Sequence, residues 1–283
     1  MHLDYFHGFV EAVQNKSLSK ASERLNLTHP ALSKQIRKLE QFYGVELLRR
    51  SAAGIEPTEA GKLLYERIGP ILRDLAALQS DLAAQSGLKR AALGSLPSIA
   101  AHYLPPLIVS LERKGVAADV IVKPTSEELI ELVRSGSLDA ALVDALSPGE
   151  SLWTKSLFTE PLFAVVPLHH PFASREAIGL EALAREPLVL HPPACSIRTC
   201  VTRLLEQRQA LPNVRMEVGF GDFLLGYVAS GAGLTVVPKL VADRVGHLGL
   251  RAIALEDAEA KRTVSLAANS AAVGRAIMRR FAC

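Results

Sequence analysis

Between Ser17 and Arg50 apolar residues return at the spacing of helices. Leu18, Ala21 and Leu25 mark one buried face, Asn26 and Leu27 interrupt it, and Leu32, Ile36 and Leu39 mark a second. Thr28 stands where its side-chain oxygen accepts from the free N–H groups opening the second helix. Pro30, which lacks an N–H, falls where that donor would be unpaired anyway. At about 100° per residue, the face opposite Leu32, Ile36 and Leu39 carries Pro30, Ser33, Lys34, Arg37 and Gln41, with Lys38 on its flank. A recognition helix needs this arrangement: apolar residues hold it against its partner helix while short polar and long cationic side chains enter the major groove. A solvated amphipathic helix would show the same basic face, but not the two-helix spacing, the caps and the following Leu47-Leu48-Arg49-Arg50.

From about Thr58 to Ser86 breakers are confined to Gly61 and Gly69-Pro70, and Leu64, Ile68, Ile71, Leu75, Leu78 and Leu82 form one stripe, which predicts a long linker helix. Such a helix has two available partners, the same helix of a second subunit or its own C-terminal domain, and the first is the expectation. Ser86-Gly87 marks a hinge. Beyond it short apolar runs alternate with helical segments. Strands are predicted at 92–96, 119–122, 139–143, 162–166, 188–191 and 234–237, and helices lie between most of them, which argues for an α/β fold.

The order Ser-x-x-x-Ala-Ser-Glu-Arg-Leu, then Thr28-His29-Pro30-Ala31-Leu32-Ser33-Lys34-Gln35-Ile36, Leu39-Glu40, Gly44, Leu47-Leu48-x-Arg50 and Thr58-x-Ala60-Gly61 resembles the winged-helix head of LysR-type transcriptional regulators. The C-terminal half matches more loosely, through Pro167, His170-Pro171 and Val228 to Leu234 before Pro238. Two positions depart from the family pattern: His29 replaces a common glutamine, and no basic wing residue stands near Ala53. The resemblance implies a winged helix-turn-helix DNA-binding domain over 1–58, a dimerising linker helix over 59–87 and an effector-binding domain over 88–283. It also implies two lobes like those of periplasmic solute-binding proteins, lobe I at about 88–160 and 269–283 and lobe II at about 161–268, joined by crossovers near Glu160-Pro161 and near Ser265 to Ala268. The implied partners are double-stranded promoter DNA, a small-molecule effector, RNA polymerase, and further copies of the chain as a homodimer and a dimer of dimers. The candidate DNA contacts are Thr28, His29, Pro30, Ser33, Lys34, Arg37, Lys38, Arg49 and Arg50.

Composition changes this picture little. The 283 residues are 49% hydrophobic and 22% charged, enough for a sizeable core and more than one domain. The net charge is only +3, so basic character is local, unlike that of a protein that coats nucleic acid unspecifically. No apolar run approaches a membrane span and the N-terminus lacks an h-region, so a cytoplasmic protein without membrane contact is expected. Cys195, Cys200 and Cys283 are an odd count without zinc spacing, and no GxGxxG or GxxxxGK[ST] follows a predicted strand, so neither metal nor cofactor is expected.

Effector groups are expected where strands end and helices begin, since free N–H groups and the helix dipole attract anions there. Ser98 is the first, Thr125 and Ser126 the second with Ser126 a good helix cap, and Cys195, Ser196 and Arg198 the third, where a hydroxyl and a guanidinium suit a carboxylate. Phe223 is a further candidate lining residue. Each has a structural alternative: Ser98 and Ser126 as plain caps, Arg198 as an ion-pair residue, Phe223 as core. A thiol switch through Cys195 and Cys200 is the rival function. An enzyme built on Cys195 and His191 lacks an orienting third group and is not expected.

Overall fold

The computed structural model describes residues 3–51, 54–85, 88–144, 152–219 and 223–281. The expected hinge at Ser86-Gly87, the wing position Ala53, Cys283 and the side chain of Arg50 lie outside the described residues. The chain forms two compact units, Met1–Leu78 and Gln79–Cys283.

The first unit runs α1 (Leu3–Asn15), α2 (Leu18–Arg24), α3 (His29–Tyr43), β1 (Leu48–Ser51), β2 (Gly54–Pro57) and α4 (Glu59–Gln85), the last extending into the second unit. Ser17 Oγ accepts from Lys20 N to open α2, and Asn26 takes φ +52° in the turn, a left-handed conformation that Asn tolerates well. Thr28 Oγ1 accepts from Ala31 N at 3.4 Å to open α3, and Gly44 closes it at φ +68°. Leu32, Ile36 and Leu39 are buried against α1 and α2 residues that include Phe9, Ala12 and Ala21. The antiparallel hairpin β1-β2 is the wing, tied to α3 because Glu40 Oε1 accepts from both Leu47 N and Leu48 N.

The apolar stripe of α4 divides, contrary to the single stripe expected. Ile68 is buried and Leu64 half-buried against Phe6, Phe9, Leu39 and Leu47, joined by Leu72, which the expected stripe omitted. Ile71, Leu78 and Leu82 stay exposed. The small head cannot close its core from three short helices, so the first turns of α4 complete it. At its start Thr58 Oγ1 donates to Glu46 O and accepts from Gly61 N, and a Cβ on Gly61 would collide with Leu47 O. Gly61→Ala is therefore expected to destabilise the head by about 1–3 kcal/mol, since only backbone movement relieves the contact. An unchanged urea midpoint for that variant would contradict this packing.

The second unit begins β3 (Arg90–Ser95), α5 (Pro97–His102), α6 (Leu104–Arg113), β4 (Ala117–Val122), α7 (Ser126–Arg134), β5 (Ala140–Val143) and β6 (Trp153–Pro167). It continues β7 (Ala177–Ile178), α8 (Leu180–Ala184), β8 (Leu188–Leu190), α9 (Ser196–Glu206), β9 (Val214–Glu217), α10 (Phe223–Ala229) and β10 (Thr235–Pro238). It ends α11 (Lys239–Ala242), β11 (Leu250–Leu255), β12 (Lys261–Ala268) and α12 (Ala271–Phe281). β3 pairs in parallel with β4 and β5, as alternating strands and helices require, and β12 pairs antiparallel with β5 and β6. The fold is α/β with a winged helix-turn-helix head.

Three cores flank the long strand β6, one of them holding Val165, Val189, Leu224 and Val237. Its first part faces a core that includes Leu93, Leu142, Leu266 and Ile277, and its last part carries β10 and β11 over a second with Leu162, Leu188, Leu204 and Val236. The return crossing is earlier than expected. Ala260 packs in the second core, whereas Val264, Leu266, Ala267 and Ala268 pack in the first, so the polar start of β12, Lys261 to Thr263, makes the crossing and Ser265 to Ala268 does not.

Candidate DNA-reading face and ligand cleft

On α3 the face opposite the core is open. His29, Pro30, Lys34, Arg37 and Lys38 are exposed and Ser33 half-exposed. Among the described residues, Ser33, Lys34 and Arg37 make no side-chain hydrogen bond or ion pair, which leaves their donors to an outside partner. Lys38 differs: its ammonium reaches Tyr5 Oη at 3.3 Å and lies 5.6 Å from the Tyr5 ring centroid, on α1. Thr28 is spent on its cap, though exposed, and Arg49 lies 3.9 Å from Glu56 across the wing.

In the second unit a cavity of about 50 Å³ opens where β3, β5, β8 and β12 bring their ends together. Its polar wall is Ser98, Asp144, His191, Ser196 and Arg262; Leu96, Ile197, Leu224, Val236 and Val241 are among its apolar residues, and Cys195 also borders it. β3 and β5 run parallel, so both end on the same side, and β12, antiparallel to β5, begins there.

Three expected effector residues, Ser98, Cys195 and Ser196, line this cavity. Ser126 stands one bond behind it, its Oγ donating to Asp144 Oδ1 at 2.9 Å. It is not the cap it was expected to be: Thr125 caps α7, its Oγ1 accepting from Glu128 N at 3.3 Å, and Thr125 does not border the cavity. Arg198 is also elsewhere. Its Nη1 donates to His191 O at 2.8 Å and to Glu217 Oε1 at 2.5 Å, so it ties α9 to β9 and holds nothing in the cleft. Two residues past Ser196 on a helix is about 200° of rotation, which carries the side chain to the far side. Phe223 is 72% exposed and outside the cavity, which its neighbour Leu224 lines instead.

The cleft's arginine is Arg262, which the sequence reading missed. β12 sets it opposite Glu160 on β6, and Nε donates to Glu160 Oε1 at 2.8 Å while Nη1 lies 3.4 Å from Asp144 Oδ2. Asp144 Oδ2 also accepts from Ser196 Oγ at 2.6 Å, and Glu160 Oε2 accepts from Leu240 N at 2.7 Å. The side chains of Arg262, Asp144 and Glu160 are nearly fully buried, so their hydration is replaced by this network. The one available sign in the sequence was Asp144, an acid placed directly after the wholly apolar strand at 140–143.

Cys195 holds the position before α9 and is buried, and loss of solvation pushes its thiol above the ordinary cysteine range. Cys200 turns the other way, its Sγ 3.8 Å from Glu259 O and 3.9 Å from Lys261 O. His191 Nδ1 is 3.2 Å from Val218 O.

Both parts have relatives among known proteins. Residues 85–282 match the LysR substrate binding domain, and residues 3–62 match the bacterial regulatory helix-turn-helix protein, lysR family. An uncharacterized HTH-type transcriptional regulator of Bacillus subtilis, YybE, is 30% identical over 243 residues, spanning 84% of this chain and 82% of that protein. A hydrogen peroxide-inducible genes activator of Pectobacterium carotovorum is 28% identical over 262 residues, 91% of this chain and 86% of the relative. A full-length OxyR variant from Pseudomonas aeruginosa has the same fold, with a TM-score of 0.69 at 24% identity over 99% of this chain and 94% of that one.

Proposed function

From the premise that the chain belongs to the LysR family of transcriptional regulators, we propose that it reads a dyad-symmetric promoter site with α3 and adjusts that binding, or the bend it imposes, when a small molecule occupies the cleft. The observation that carries the reading is the face of Ser33, Lys34 and Arg37, open to solvent on a helix whose other side is core. Pro30 and His29 at its start meet base edges in this reading, and Lys38, Arg49 and Arg50 are assigned to phosphates. In this reading residues 1–58 bind DNA, 59–87 join two subunits and 88–283 sense the effector. The exposed Ile71, Leu78 and Leu82 of α4 suit a helix-to-helix contact in a homodimer, from which a tetramer is built. RNA polymerase contact at the promoter, residence in the cytoplasm and the absence of catalysis belong to the same reading. No helix among the described residues is long and apolar enough to cross a membrane.

Selection from randomised duplexes tests this. The full chain should return one motif with two inverted half-sites about one helical turn or a multiple apart. A featureless pool would sink the proposal.

The thiol-switch reading is favoured by the peroxide-inducible activator among the relatives and opposed by the state of Cys195. A thiol held protonated by burial is a poor nucleophile near neutral pH. Iodoacetamide at pH 7 should modify Cys195 more slowly than a free cysteine peptide, the rate rising only as alkaline pH is reached. Rapid alkylation or sulfenic acid formation at Cys195, followed by mass spectrometry, would favour the switch.

A further inference from the structure

The cleft holds a carboxylate of its own. Asp144 follows β5 and takes Ser126 Oγ on one oxygen and Ser196 Oγ on the other. Those serines are the first residues of α7 and α9, helices of nine and eleven residues, so the carboxylate lies against two helix starts. That is the surrounding in which a bound anion is stabilised. With its side chain only 3% exposed, Asp144 fills this seat from within.

Charge excludes a second anion. Arg262 is shared between Asp144 and Glu160, so the buried trio already carries more negative than positive charge, and an entering carboxylate would meet it in a poorly solvated site.

What remains open is a neutral pattern. A carboxylate has about four acceptor sites; Asp144 receives Ser126, Ser196 and, at 3.4 Å, Arg262, which leaves room for one more donor. Arg262 Nη2 is buried 2.7 Å from Glu160 Oε1, so it serves that ion pair and is not offered to the cavity. Ser98, on the same wall, has no side-chain partner among the described residues. Leu224, Val236 and Val241 also line the cavity.

We propose that the cleft takes a small uncharged ligand carrying a hydrogen-bond donor beside an acceptor on an apolar body, as a carboxamide does, and that it rejects carboxylates because Asp144 occupies their seat. The donor goes to Asp144, the acceptor takes the Ser98 hydroxyl, and the body rests on Leu224, Val236 and Val241. The cavity's 50 Å³ suits a ligand of a few heavy atoms, since one water needs about 10–15 Å³ by this measure. The proposal rests on the cleft being the sensor site and narrows what it senses.

The test uses matched pairs, acetamide with acetate and propionamide with propionate, in thermal melts and ligand-observed NMR of the full chain at constant ionic strength. The amides should raise the melting temperature of the wild-type protein and bind at least tenfold more tightly than their acids. In Asp144→Ala the order should invert, acetate entering the vacated seat and recovering stability that acetamide does not. If that variant fails to fold, the wild-type comparison decides alone. Acids that bind the wild type as well as the amides, amides that give no shift, or a folded Asp144→Ala that gains nothing from acetate would each overturn the proposal. DNA affinity measured alongside separates the two readings. Amide binding without a change in DNA affinity would refute the sensor and spare the ligand class, whereas an acid that binds and alters DNA affinity would do the reverse.

Discussion

Replacing Arg262 with methionine is expected to cost about 3–5 kcal/mol of folding stability, because it leaves two carboxylates buried without their cation. Asp144 and Glu160 would keep their hydrogen bonds from Ser126, Ser196 and Leu240 N, but those donors do not neutralise charge. The loss should appear as a lower urea midpoint with an unchanged slope. Adding Glu160→Gln to Arg262→Met should recover part of it, since the two side chains touch and their substitutions cannot be additive. A loss of less than about 1 kcal/mol in the single variant would be that of an ordinary surface ion pair, and the charge network would not be what the burial of Asp144 and Glu160 depends on.

Removing the Arg37 side chain is expected to weaken binding to the selected site by about 1–3 kcal/mol, roughly the value of one base-reading contact. Ser33→Ala should act in the same sense. Lys34→Ala, if its ammonium meets phosphate, should weaken all duplexes alike and reduce the salt slope by about one unit. The folded state gives no reason for these variants to lose stability, because none of the three side chains has a protein partner among the described residues. Fluorescence anisotropy on specific and scrambled duplexes across a salt series separates the cases. His29→Gln, which places donor and acceptor side by side, should alter the preferred bases and leave the fold intact.

The head was legible because its determinants are local. Thr28, Gly44 and the spacing of Leu32, Ile36 and Leu39 fix a helix and its buried side within one short stretch. The stripe of α4 was only half legible: Ile68 and Ile71 are both apolar, and only the three-dimensional head decides that the first closes its core and the second faces water. In the cleft, Ser98, Cys195 and Ser196 were found because they sit where strands end, a position visible in the pattern. Arg198 and Phe223 failed on helical phase, each lying outside the cavity although an adjacent residue, Ile197 or Leu224, lines it. Arg262 could not be found locally. It reaches Glu160 across a separation of 102 residues by strand pairing, and its stretch Lys261-Arg262-Thr263 has no apolar run to announce a strand.

The central claim is that occupancy of the cleft changes how the head holds DNA. It is tested most directly by titrating the selected duplex with the full chain, with and without a saturating cleft ligand, in the wild type and in Leu224→Trp, which fills the apolar wall of the cavity. A ligand that shifts the equilibrium must bind one arrangement of the protein better than another, and by linkage DNA must shift the ligand's affinity by the same factor. The account predicts reciprocal shifts in the wild type and none in Leu224→Trp, whose DNA binding without ligand persists. Equal DNA affinity with and without ligand in the wild type, or an undiminished ligand response in Leu224→Trp, would contradict it.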